Sequence, residues 1–136
     1  MVDPATAPYA ILLLRLSLGL MFLAHATLKW KVFTIPGTIK YFRSIGLPGW
    51  LAYVTLAIEF GGGFALIVGL APRLVALLLV PLLLGTIVTV HGRNGWLFTN
   101  KDGGWEFPAF WTAALVAVFL LGDGAVAVLP SSAFGL

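Results

Sequence analysis

Four apolar runs, each close to the length needed to cross a bilayer, constrain this chain more than any other feature. They cover about residues 9–28, 50–70, 73–90 and 107–121. At about 1.5 Å per helical residue they approach the roughly 30 Å of a hydrocarbon core. Lipid offers backbone N–H and C=O groups no partners, so a spanning segment is either a helix or part of a closed barrel. Barrel strands alternate apolar and polar residues with period two, and these runs do not. The sequence therefore predicts an all-α membrane protein, a four-transmembrane-helix bundle made by one integral-membrane domain over residues 1–136. The fourth run is short, and beyond a Gly122-Asp123-Gly124 break it can continue through Val128.

Composition agrees and closes off other classes. Hydrophobic residues make up 60% and charged residues 10%, against roughly half and a quarter in soluble domains, too few charges to cover a water-facing surface. A net charge of +3 spread along the whole chain makes no nucleic-acid surface. With no cysteine, the chain supplies no disulfide, zinc thiolate, iron–sulfur ligand or thiol relay. Two histidines are too few for a His-rich metal site within one chain, so no metal is expected. A cleaved signal peptide is the competing reading of the first run, through Ala24-His25-Ala26. Residues 1–10 carry no basic charge and Arg15 lies inside the run, so the run is expected to stay as a span.

Basic residues set the expected orientation. Lys29, Lys31, Lys40 and Arg43 lie between the first two runs and Arg93 and Lys101 between the last two, while the other side has only Arg73. Both longer loops are then cytoplasmic and both termini outside. Within the first loop, Pro36-Gly37 makes a turn and Thr38 caps a short helix. Ile39, Phe42 and Ile45 take one side and Lys40 and Arg43 the other, which reads as a short interfacial amphipathic helix between helices 1 and 2. Pro48-Gly49 ends it, and Trp50 sits at headgroup depth. Leu18-Gly19 precedes His25 and Trp30 with the spacing by which Leu84-Gly85 precedes His91 and Trp96, a hint that the first and third runs occupy equivalent places. Ala57, Gly61, Ala65 and Gly69 form a small-residue stripe for close helix packing, and Ala109, Ala113 and Ala117 another. Pro72 suits the first turn of the third helix, and Pro81 is expected to kink it.

Ionisable residues inside a span are costly and tend to face the bundle interior. Here they are Arg15, His25 and Lys29 on the first run, Glu59 on the second, His91 closing the third and Glu106 opening the fourth. At 100° per residue, Arg15, Phe22, Ala26 and Lys29 share one stripe with His25 at its border. Glu59 lies near the midplane, and Arg15, within about two turns of that depth, is the expected partner for it. His25, Lys29, His91 and Glu106 share one membrane level and make a plausible proton-handling or head-group-binding set. Each also has a structural reading: a register-fixing ion pair, a snorkelling Lys29, or a Glu106 favouring a helix N-terminus.

Residues Leu14-Arg15-Leu16-Ser17-Leu18-Gly19-Leu20-Met21-Phe22, followed by Lys29, resemble the first helix of the DoxX family of small bacterial membrane proteins. Glu59 with Gly62 and Gly63, then Gly69 and Arg73, is similar to that family's second helix and following turn. Phe42 to Pro48 fits its first loop, Gly103-Gly104-Trp105-Glu106 its entry to helix four, and Gly122-Asp123-Gly124 its tail. Ala26 stands where a glycine is usual, and the aspartate often found after the last glycines is absent. The resemblance implies a multi-pass four-helix bundle of the bacterial inner membrane, described as oxidoreductase-associated, with some members linked to quinone reduction during thiosulfate oxidation and others to redox-stress complexes. Its polar positions match Arg15, Lys29, Glu59, Arg73 and Glu106. A family likeness does not by itself assign a reaction.

The expected function is a membrane subunit of a redox system that binds a quinone-like or other lipophilic small molecule among its helices. Arg15, His25, Lys29 and His91 would donate hydrogen bonds, and Glu59 or Glu106 would carry protons. Without thiols or iron–sulfur ligands of its own, the chain would need a protein partner or bound cofactor for electrons. A non-catalytic interaction or assembly protein is the alternative, as is a small proton-coupled transporter, which would need a homo-oligomer. His25 and His91 as two ligands of one haem complete the set.

Overall fold

The structure is a computed structural model that describes residues 3–136. Among the described residues the chain forms five α-helices and no strand: α1 (Ala7–Thr27), α2 (Ile35–Ser44), α3 (Leu51–Val68), α4 (Pro72–Thr89) and α5 (Glu106–Leu121). Three stretches are long and apolar enough to cross a membrane, namely Ala7–Val32, Leu51–Val68 and Pro72–Thr89, while α5 is a shorter apolar helix. The helix ends lie within a few residues of those read from the sequence. Pro8 and Pro72 sit in first turns, where a missing N–H costs nothing. Gly69 (φ 77°) ends α3 in the left-handed region that a Cβ disfavours.

α1 does not stop at Thr27. It winds on as a π-helix through Leu28–Val32, with Phe33 N–H donating to Leu28 C=O at 3.0 Å. Such wide turns are rare and recur at functional sites. α2 begins earlier than expected, because Thr34, not Thr38, caps it by accepting from Gly37 N–H. Thr38 is buried, and its hydroxyl donates to the carbonyl of Thr34.

α1 packs antiparallel to α3, and α4 to α5, around a core of Leu18, Phe22, Leu66, Leu79, Leu83, Trp111, Leu115 and Val118. The α1–α3 seam is closest at two glycines. A Cβ on Gly63 would stand 2.9 Å from the Gly19 carbonyl oxygen, and one on Gly19 2.7 Å from that of Gly63. The small-residue stripe expected to do this work does not: Ala57 and Gly61 are exposed, and a Cβ on Gly61 meets open space. Gly62, under Leu79, and Gly63 carry the packing instead. A period of four residues detects smallness, but which face turns inward is set by neighbouring helices.

The expected continuation of the last helix through Val128 is also corrected. After Gly122 (φ 110°) the chain reverses and runs back across one end of the bundle. Ala125 N–H donates to Pro8 C=O, and Leu129 pairs with the α3–α4 turn through Leu129 N–H to Gly69 C=O and Ala71 N–H to Leu129 C=O. The equivalence of the first and third runs fails at their ends, since His25 lies within a continuing helix while His91 begins a 3-10 turn beyond α4.

Candidate functional site

The Gly19–Gly63 contact sets the heights of the charged side chains. In that antiparallel register Glu59 stands level with Leu23, and Ile67 level with Arg15, so Arg15 lies about two turns from Glu59. Side chains on a helix lean toward its N-terminus. On α1 this carries Lys29 back toward Glu59 and carries Arg15 away from it. The Lys29 ammonium accordingly donates to Glu59 Oε1 at 2.5 Å, with the carboxylate side chain 5% exposed and the lysine 20%. The expected Arg15–Glu59 pair is not formed.

Arg15 turns to the tail. Its guanidinium, buried to 1% exposure, donates to the carbonyls of Asp123 (2.7 Å), Val126 (3.0 Å) and Ala125 (3.4 Å). The Asp123 carboxylate in turn accepts from the backbone N–H (2.7 Å) and hydroxyl of Ser131, whose oxygen accepts from Arg73 N–H at 3.0 Å. Arg73 Nε reaches the Phe119 carbonyl at 2.9 Å. This is a clasp tying α1, the α3–α4 turn, α5 and the tail.

Around Lys29 and Glu59 the surroundings differ. Glu59 Oε2 is buried with no hydrogen-bond partner. His25, one turn before Lys29, holds its Nδ1 at 3.0 Å from the Met21 carbonyl. A carbonyl only accepts, so Nδ1 carries the proton that it donates there. The imidazole packs on Trp111 (ring centroids 4.9 Å) and stacks on Phe107 (6.3 Å), and Trp111 packs on Phe22 (4.5 Å). Trp111 Nε1 is likewise buried without a partner. On the outer side of the seam, Trp30 meets Phe60 edge to face at 6.2 Å, each next in sequence to a member of the ion pair. Thr38 of α2 also reaches the Lys29 carbonyl, at 3.4 Å.

His91 and Glu106 belong to a separate arrangement. Each secures the turn-rich loop between α4 and α5: His91 Nδ1 bonds the Gly103 carbonyl at 2.9 Å, and Glu106 Oε1 accepts from Phe98 N–H at 2.8 Å. Of the four groups expected to converge at one membrane level, Lys29 therefore pairs with Glu59 and His25 packs on Trp111 and Phe107, while His91 and Glu106 hold the loop. Phe107 links the two regions, since it stacks on His25 and lines both open grooves beside the loop. The larger groove, about 550 Å³, also has Trp96, Phe98, Glu106 and Phe110 on its walls, and the smaller, about 250 Å³, has His91. Neither is lined by Glu59, by Lys29 or by both histidines. No cluster of three or more His, Cys, Asp or Glu suited to a metal occurs among the described residues.

Sequence reasoning missed Trp111, Asp123 and Ser131. Trp111 sits in an apolar run and reads as filler, though its N–H is the one polar atom on its stretch of α5 that needs a partner outside the helix. Asp123 is one of only five acids, and an acid flanked by two glycines was a signal for more than a chain break.

Comparison with known proteins places these residues in a family context. The DoxX family model matches residues 10–92, which hold Arg15, His25, Lys29, Glu59 and His91. A protein of Bacillus subtilis (strain 168) named "Putative oxidoreductase CatD" is 46% identical over 79 residues, 58% of this chain and 58% of that protein. "Inner membrane protein YqjF" of Escherichia coli (strain K12) is 30% identical over 84 residues, 61% of this chain and 62% of that protein. These alignments span less than two thirds of each relative's length. No solved structure matches.

Proposed function

The chain belongs to the DoxX family of membrane proteins, and on that premise we propose that it is an inner-membrane component of a redox system which binds a quinone-like molecule at the Lys29–Glu59 seam. In this reading α1, α3, α4 and α5 are four spans of a single domain, α2 lies in the membrane interface and both termini are outside. The observation that carries the proposal is the Lys29–Glu59 pair itself. A buried acid and a half-buried amine meet where α1 widens into a π-helix, beside the exposed Trp30 ring and the half-buried Phe60 ring. Burying such a pair brings little net stability, so its presence in a span supports a binding or proton-handling role. The oxidoreductase and inner-membrane names of the two relatives support the same class.

The donor set fits a quinone. Lys29 Nζ has further protons to donate to a carbonyl oxygen, and Glu59 has an uncommitted oxygen with which to pass a proton. Trp30 and Phe60 provide flat apolar surface for a ring arriving from the bilayer. A bound quinone supplies the two-way electron chemistry, while the chain's own residues hold its oxygen and manage the proton. The chain has no cysteine and hence no thiol or iron–sulfur ligand, so electrons enter from a protein partner or a bound cofactor.

A reduced-minus-oxidised absorption spectrum of protein purified in mild detergent, with mass spectrometry of its solvent extract, tests this. A quinone is expected in the extract of the wild type. Its retention should fall by roughly tenfold or more in Lys29→Met, equivalent to about 1.4 kcal/mol of binding. A silent spectrum with only bulk phospholipid in the extract counts against the redox reading.

A further inference from the structure

The larger groove beside the α4–α5 loop is a preformed feature that the Lys29–Glu59 seam does not use. The loop folds back on the start of α5 and builds one wall. Gly104 N–H donates to Leu97 C=O (2.9 Å), Trp105 N–H to Gly95 C=O (3.0 Å) and Glu106 N–H to Trp96 C=O (3.1 Å). The Trp96 and Trp105 rings meet edge to face at 4.4 Å, and Phe98 N–H is held by Glu106 Oε1 at 2.8 Å. Trp96 and Phe98 are therefore fixed where they line the groove with Phe107 and Phe110 of α5, and the small Ala109 and Ala113 leave the space between. Its volume of about 550 Å³ falls in the range of roughly 300–1,000 Å³ usual for ligand sites.

The groove has a polar end and an apolar end. Among the described residues Glu106 is the one ionisable side chain on its walls, and no cation pairs with it. Oε1 is engaged by Phe98, while Oε2 accepts no hydrogen bond among the described residues. Glu106 opens α5, and Ala113 stands about 10 Å further along the helix axis. With α5 crossing the bilayer, Glu106, Trp96 and Trp105 lie at headgroup depth and Ala113 lies in the hydrocarbon. A carboxylate at the surface end of a trough that runs inward is complementary to an amphiphile with a cationic head and an apolar chain. An anionic headgroup meets like charge at Glu106, and a quaternary ammonium has no N–H to donate. A primary ammonium supplies both the charge and the hydrogen bond.

We propose that this groove binds a phospholipid with a primary ammonium headgroup, of the phosphatidylethanolamine class. The ammonium donates to Glu106 Oε2, and one acyl chain lies over Ala109 and Ala113 between the aromatic walls. Glu106 then serves two ends at once, pinning the loop through one oxygen and receiving the lipid through the other. The site is independent of the quinone reading, since neither Lys29 nor Glu59 lines it. It rests only on α5 being a span.

The test is native mass spectrometry of the full chain, delipidated in mild detergent and then given dioleoyl phosphatidylethanolamine, phosphatidylglycerol or phosphatidylcholine in turn. Phosphatidylethanolamine is expected to be retained about fivefold better than the other two, the upper end for an ion pair in contact with water. The preference should vanish in Glu106→Gln, whose amide oxygen still accepts from Phe98 N–H. Retention should also fall in Ala113→Phe, which fills the trough from an exposed position and leaves the core untouched. Equal retention of the three lipids, or a preference that survives Glu106→Gln, overturns the proposal. So does a two-chain species that Ala113→Phe abolishes without any lipid preference, since a second copy then covers the groove. Because the chain has no cysteine, Ala113→Cys probes the span separately, with a water-soluble maleimide in membrane vesicles. Labelling there removes the crossing of α5 and the lipid site with it, while protection without a lipid preference overturns the lipid site alone.

Discussion

The two ends of this bundle each bury a cation on α1 and treat it in opposite ways. At the Arg15 end the chain supplies the partners: three tail carbonyls for the guanidinium, and Ser131 for the Asp123 carboxylate that follows. Among the described residues only Arg15 Nε is left over there. At the Lys29 end the ammonium has its carboxylate, but Glu59 Oε2 and Trp111 Nε1 have no partner among the described residues. A region closed by its own backbone has little left to offer a ligand, whereas one with unmet donors and acceptors is prepared for something else. The difference teaches that charge in a membrane span is not one signal. Arg15 is bound into the structure by backbone carbonyls and Lys29 with Glu59 is the proposed site, although both break the apolar pattern equally in the sequence.

Mutations at the two ends should separate stability from binding. The largest stability loss is expected for Arg15→Met, because it strands several carbonyls where bonds to a charged donor are worth roughly 1.5–3 kcal/mol each. Thermal unfolding in detergent should show a loss of about 3 kcal/mol or more, and a near-normal midpoint would mean that the clasp is not what holds the tail. Ser131→Ala should cost roughly 1–3 kcal/mol in the same assay, since it removes one of the two donors to Asp123 and the acceptor for Arg73 N–H. Equal losses of retained quinone and of stability in either variant would blur the proposed division of labour.

Glu59→Gln should do the reverse. Its stability cost is expected to be about 1 kcal/mol, because the long stem of the partly buried Lys29 can carry its ammonium toward the membrane surface. Proton-coupled activity, or quinone exchange measured with the purified protein, should drop far more than that figure implies. A large fall in unfolding temperature without a selective effect on the ligand would turn Glu59 into a register-fixing residue and favour an assembly role. The smallest effect belongs to Gly61→Ala. Its Cβ enters open space on the outer face of α3, so stability should rise by between zero and about 1 kcal/mol. A clear loss there would reveal a second copy or partner packed on that face.

Much of this is legible in the amino-acid sequence. Apolar run length predicts helices because lipid leaves the backbone only local hydrogen bonding, and α1, α3, α4 and α5 fall within a few residues of the runs. The π-helical extension of α1 and the early start of α2 at Ile35 were not legible, since each depends on how Thr34 and Thr38 meet the end of α1. Among the site residues, Lys29 and Glu59 come together and His25 turns to Trp111 and Phe107, whereas His91 and Glu106 are drawn into securing their loop.

By itself the sequence determined that the chain enters a membrane, which segments are helical, and which few charged side chains must be accommodated inside, because those follow from composition and from spacing along one helix. Only the tertiary structure decided who partners whom. Counting residues along a span yields depth, but the Gly19–Gly63 register, the lean of side chains toward the helix N-terminus and the return of the tail gave Arg15 to the backbone and Lys29 to Glu59. Pairing in three dimensions depends on height, rotation and neighbours together, and a single run of letters carries the first far better than the other two.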